Sequence, residues 1–96
     1  MILDPDFIAI RSGDVTVPLS RLEYIITNRV VKAKGAVVSW YDIMLAAYDF
    51  KEPDDALHTV QQTAHRMRKK MTAAGVPMPF SVVTNKGLRI VKEMTL

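Results

Sequence analysis

The chain contains no cysteine. Disulfide bridges, thiolate zinc sites and cysteine nucleophiles are excluded together, and a reducing cytoplasm is compatible with that absence. Long apolar runs are also missing. The longest, Ile43-Met44-Leu45-Ala46-Ala47-Tyr48, is far too short to span a bilayer. The amino-terminal MILDPDF has acids where a secretory leader carries bases, so a cytoplasmic chain without a membrane partner is expected. No repeat, low-complexity tract or interdomain linker appears. With 96 residues, 49% of them hydrophobic and 24% charged, the chain has the composition of one folded domain over 1–96.

Catalytic signatures are absent too. Nothing has the form of a nucleotide loop, a metal-ligand cluster or a nucleophile elbow, so neither an enzyme nor a cofactor is expected. His58 and His65 stand seven residues apart, about 10.5 Å of helix rise, which one metal ion cannot bridge. Ser39, Asp42 and His65 could be drawn as a triad, but Ser39 and Asp42 are better explained as a helix cap.

Acidic residues are scarce in one half only. Residues 1–55 carry six Lys/Arg against nine Asp/Glu, a net of −3; residues 56–96 carry seven against one, a net of +6. Such a split points to a polyanion as the partner of one face. The basic half begins where the most regular pattern begins. Leu57, Val60, Ala64, Met67 and Met71 recur at steps of three and four, the period of one apolar helix face. The spacing predicts a helix over 55–74, capped by Asp54 or Asp55 and stopped near Gly75. At about 100° per residue, Gln62 points away from that stripe, with His58, His65, Arg66 and Lys69 fanned around it. Arg66, Arg68, Lys69 and Lys70 have no acid among them. Gln62, Thr63, His65, Arg66 and His58 are the candidates for base contact in a major groove: arginine suits guanine and glutamine suits adenine. Arg68, Lys69 and Lys70 are candidates for phosphate, with Arg68 close enough to the stripe for a structural share.

The other elements follow from local signals. Phe7–Arg11 and Val15–Val17 read as a hairpin around Ser12-Gly13-Asp14, with Ile2-Leu3 as a short third strand. Ser20-Arg21-Leu22-Glu23 is a capping box that opens a helix from Arg21 to Ala33, ended by Gly35. Leu22, Ile25, Ile26, Arg29 and Val30 are its expected inner face, with Arg29 at the margin and its aliphatic stem laid over the core. Ser39-Trp40-Tyr41-Asp42 opens a shorter helix, Trp40 to Tyr48, with Ile43, Met44 and Ala47 inward. Trp40 and Tyr41 sit at its amino end, where helix amides favour anions; Trp40 either packs in the core or donates its indole N–H to phosphate. Phe80–Thr84 and Leu88–Val91, joined by Asn85-Lys86-Gly87, form a second hairpin with a cationic tip. The order is hairpin, three helices, hairpin: an α+β winged helix-turn-helix, with the last hairpin (80–92) as the wing.

From Val15 to Val91 the chain resembles the winged-helix effector domain of OmpR/PhoB-type response regulators. Val17-Pro18-Leu19-Ser20-Arg21-Leu22-Glu23 looks like the family's "LT..E" entry to the first helix. Gly35-Ala36-Val37-Val38-Ser39 looks like its "G.vvSr" turn. Val60 through Met71 looks like its "V..hi.rLRkKL" recognition helix, with methionines in place of leucines, and Val83 to Ile90 looks like its "TvrG.GYrl" wing. The departures are Asn85 for the first wing glycine, Leu88 for the following aromatic, Thr84 where arginine is frequent and Tyr48 where tryptophan closes the second helix. No receiver domain or phospho-acceptor aspartate can be assigned. An excised domain, a stand-alone regulator, and a phage- or mobile-element-encoded mimic are all compatible with that.

The resemblance implies a bacterial or phage transcription regulator that binds specific double-stranded DNA. Trp40, Thr84, Asn85 and Lys86 would join the cationic residues on the DNA backbone, the wing reaching the adjacent phosphates or the minor groove. It implies a loop, Phe50, Lys51 and Glu52, able to touch RNA polymerase, or else a plain connector. One winged domain buries little DNA surface, which leaves room for tandem or dimeric binding. The alternative function is an adaptor that binds polymerase or a host regulator and reads no bases.

Overall fold

A computed structural model describes residues 1–48, 55–91 and 94. Three short strands, β1 (Ile2–Asp4), β2 (Ala9–Ser12) and β3 (Val15–Pro18), form an antiparallel sheet in chain order. Helix α1 (Arg21–Lys32) follows, then a two-residue strand β4 (Val38–Ser39), α2 (Trp40–Tyr48) and the long α3 (Ala56–Ala73). The chain closes with β5 (Phe80–Val83) and β6 (Gly87–Ile90), in a second antiparallel sheet of order β4-β6-β5. This is the expected α+β winged helix, with the short third strand of the first sheet present.

The first hairpin starts two residues later than its β-type residues suggest. Asp4 Oδ1 accepts the amides of Asp6 and Phe7 at 2.9 and 3.2 Å, a local turn that competes with strand pairing. Ile8 is then held at φ 50°, where a β-branched residue is strained. Phe7 is left 73% exposed.

Strand β4 has no counterpart in the expectations. Two residues cannot show a period, and its pairing is set from a distance: Val38 opposes Leu88 and Ser39 opposes Gly87. Residue 87 must be glycine for this to happen. A Cβ there would lie 1.8 Å from the Val38 carbonyl oxygen, which no adjustment of a side chain relieves. The Trp40 amide also donates to the Lys86 carbonyl at 3.2 Å. The wing turn is therefore fastened to the start of α2.

One core joins these layers. Leu3, Ile10 and Val17 of the first sheet meet Ile26 and Val30 of α1, Ile43 of α2, Val60, Met67 and Met71 of α3, and Phe80 and Leu88 of the second sheet. Ser20 caps α1 as a full box: its hydroxyl accepts the Glu23 amide, and Glu23 accepts the Ser20 amide. Ser39 caps α2 by accepting the Asp42 amide at 3.1 Å. Asp55 occupies the cap position of α3, but its side chain makes no capping bond, contrary to expectation. Asp54 lies outside the described residues.

The buried face of α1 differs from the expected one. Glu23, Ile26, Thr27, Val30 and Val31 are buried, whereas Leu22 and Ile25 are only half-buried; Arg29 is half-buried, in keeping with its expected place at the margin. On a wheel this is a rotation of about 100°. Two polar residues lie on the inner face because each has its partners there. Thr27 Oγ1 donates to the Glu23 carbonyl at 2.8 Å and lies 3.4 Å from Met67 Sδ. Glu23 Oε1 accepts the Ser20 amide at 2.7 Å and Lys70 Nζ at 2.6 Å.

Candidate nucleic-acid interface

Helix α3 runs unbroken from Ala56 to Ala73. Ala56, Val60, Thr63, Ala64, Met67 and Met71 are its buried face. That face is turned about 30° from the apolar stripe read in sequence, away from Leu57, which is 42% exposed, and towards Thr63. Opposite it, His58, Gln62, His65, Arg66 and Lys69 are all exposed. Val60, Met67 and Met71 anchor the rod to the core, and the other side projects as a ridge into solvent. Arg66, Arg68, Lys69 and Lys86 have no carboxylate within ion-pair distance among the described residues, where the pairs are Asp4–Arg11 and Glu23–Lys70.

Two expected contact residues are placed differently. Thr63 is 7% exposed, and its hydroxyl donates to the Thr59 carbonyl at 2.7 Å. A β-branched residue with a satisfied hydroxyl packs as an apolar one does, so Thr63 belongs to the core side and is withdrawn from the base-contact set. Lys70 bends away from the ridge. Its Nζ donates to Glu23 Oε1 at 2.6 Å and to the Pro18 carbonyl at 3.0 Å, so it ties α3 to α1 and to the end of β3 and is withdrawn from the phosphate set. A charge run in sequence does not reveal which member has a buried carboxylate waiting for it.

The remaining candidates lie around the ridge. Arg68 is exposed on one flank of α3. There, α3 and β5 enclose a groove of about 430 Å³ whose lining includes Arg68, His65, Trp40, Phe80 and Val82. Trp40 is half-buried against the core and faces this groove, so its ring serves packing and the groove at once. Thr84, Asn85 and Lys86 form the exposed wing turn, with Asn85 at φ 60°. Gln61, exposed beside Arg68 and His65 and bordering the groove, was not among the expected residues; its place on the wheel next to Arg68 is the signal that would have found it. Phe50, Lys51 and Glu52 lie outside the described residues. Among the described residues no group of three His, Asp or Glu could hold a metal ion, and no helix is long and apolar enough to cross a membrane.

No family model and no curated protein matches the sequence. Solved structures do match its fold. The DNA-binding domain of the response regulator AdeR, crystallised in complex with an intercistronic region, aligns with a TM-score of 0.73 at 21% identity, covering 91% of this chain and 88% of that one. The DNA-binding domain of E. coli CadC gives 0.74 at 16%, covering 91% and 81%. The Klebsiella pneumoniae RstA DNA-binding domain, in complex with the RstA box, gives 0.67 at 22%, covering 93% and 88%. At these identities the likeness is one of fold. On that ground the chain has the winged-helix fold of the DNA-binding domains of OmpR/PhoB-type response regulators.

Proposed function

We propose that this chain is a single winged-helix domain that binds specific double-stranded DNA and regulates transcription. Helix α3 enters the major groove; Gln62, His65, Arg66 and His58 face the bases, and Lys69, Arg68 and Lys86 neutralise phosphates. The observation that carries this reading is the ridge of α3: exposed glutamine, histidine and arginine on a rigid rod anchored by Val60, Met67 and Met71. The AdeR and RstA domains of like fold were solved with DNA, which supports the same use here. The wing, fastened through the Trp40–Lys86 bond, lies beside α3 to meet the adjacent backbone or minor groove.

Selection of bound duplexes from a random library, read by mobility shift, tests this directly. Enrichment of a short motif is expected, with affinity falling by about 0.9 log units per phosphate contacted for each tenfold rise in salt. Arg66→Ala should weaken the selected motif by about 1–3 kcal/mol and relax one position of it. Unchanged specific binding by that variant removes Arg66 from the base-reading set. A shift without any motif would mean a non-specific binder. No shift at low salt would leave the adaptor that binds polymerase or a host regulator.

A further inference from the structure

We propose that the groove between α3 and β5 is a peptide-binding site that takes an extended segment of alternating apolar and acidic residues as an added strand on β5. This goes beyond DNA binding, and of the residues proposed to contact DNA it shares His65 and Arg68.

Among the described residues, the strand order β4-β6-β5 leaves one side of β5 without a strand partner. The Val91 amide donates to the Pro79 carbonyl at 2.8 Å, and the register continues with Ser81 opposite Arg89 and Val83 opposite Gly87. Bonded and unbonded pairs alternate in an antiparallel ladder. Residues 79, 81 and 83 therefore turn their polar backbone groups to β6, and Phe80 and Val82 turn theirs to the unpaired edge. Ser81 has its side chain on the opposite strand face from Phe80 and Val82, yet it borders the groove as they do. The strand's edge, and not only its face, lines the groove.

Across from that edge stands α3. Ala64 leaves room with its small side chain, and Arg68 and His65 supply the rim. The floor is Trp40, Met78 and Phe80. An edge strand facing a helix across an apolar floor is the geometry in which extended peptides add by main-chain hydrogen bonds and side-chain pockets.

The groove also selects its occupant. Outward amide and carbonyl groups on β5 match another extended backbone. The floor accepts every second side chain of such a segment if it is apolar. The intervening side chains turn towards a rim that carries Arg68 and no acid among the described lining residues, which favours carboxylates. A DNA phosphate strand in the same place would be desolvated against tryptophan, methionine and phenylalanine, at a cost that Arg68 alone does not offset.

Trp40 is the chain's one tryptophan, so its fluorescence reports the floor. The full chain is titrated with a synthetic peptide alternating aspartate with valine around a central phenylalanine, with its lysine-for-aspartate counterpart, and with duplex DNA. The acidic peptide should change Trp40 emission and slow amide exchange at Phe80 and Val82; the lysine peptide should bind at least about tenfold more weakly. Val82→Pro removes an outward amide and no ladder bond, a placement that edge strands tolerate. It should weaken acidic-peptide binding by about tenfold or more with Tm unchanged. If that variant loses stability, Arg68→Glu, which reverses the charge of the rim at an exposed position, carries the same expectation. The proposal is overturned if the acidic peptide leaves Trp40 and both amides unaffected, or if a folded groove variant binds it as the parent does. It is equally overturned if duplex DNA, and not the peptide, protects the two amides. Arg66→Ala, which tests the DNA reading, should leave peptide binding as it was, so the two readings fail separately.

Discussion

Helices α1 and α3 pack against each other and are built on the same rule, yet they hide different kinds of residue. The inner face of α3 is nearly all apolar, with Thr63 as its one polar member. The inner face of α1 includes Glu23 and Thr27, both buried. The difference lies in partners. Thr27 returns its hydroxyl to its own helix, and Glu23 takes a backbone amide and a lysine from α3. Among the described residues no buried side-chain oxygen or nitrogen lacks a hydrogen-bond partner, so this polar strip is satisfied. Hydrophobic period alone therefore locates α3 to within about 30° and misplaces α1 by about 100°. A helix can bury whatever its neighbour completes.

That contrast can be broken or sharpened by substitution. Met67→Ala should be the most damaging, since Met67 is 1% exposed and touches Thr27 across the helix pair. A loss of about 3 kcal/mol is expected from urea unfolding; a loss well under 1 kcal/mol would mean that α3 does not seat where described. Glu23→Ala removes the return arm of the capping box and the partner of Lys70 together. We expect a loss of about 2 kcal/mol, and near-wild-type stability would show that the polar strip contributes nothing.

The paired lysines distinguish anchoring from ligand contact. Lys70→Met should lower stability by about 1 kcal/mol, because its head group is partly exposed and partly screened, while the salt dependence of DNA binding stays unchanged. Lys69→Met should do the reverse, leaving the unfolding midpoint alone and reducing the salt slope by about 0.9. Interchanged results would return Lys70 to the ridge. The smallest effect belongs to Leu57→Gln. Leu57 is 42% exposed, so a change within about 0.5 kcal/mol is expected, and a larger one would put Leu57 back into the core.

Much of the architecture was legible residue by residue. The capping serines at 20 and 39 mark where α1 and α2 begin, because a hydroxyl three residues before an unpaired amide is a local event. The glutamine-and-arginine ridge was legible because Val60, Met67 and Met71 leave it only one way to face. Strand β4 was not legible, since it exists only by opposing Leu88 and Gly87. Nor was the withdrawal of Thr63 and Lys70 from the candidate site. Thr63 moves inward with the modest rotation of α3, and Lys70 is claimed by a carboxylate 47 residues away. The same limit hid the α3–β5 groove, which brings together side chains from α2, α3 and β5.

The order of the hairpins and helices, the serine caps of α1 and α2 and the sidedness of the long helix were decided by the sequence, since each depends on residues within a turn or two of one another. The rotation of α1, the fate of Lys70 and the free edge beside α3 were decided by the tertiary structure. Each of these is a choice of partner among residues far apart in the chain, and a partner becomes available only once packing has placed it within hydrogen-bonding distance.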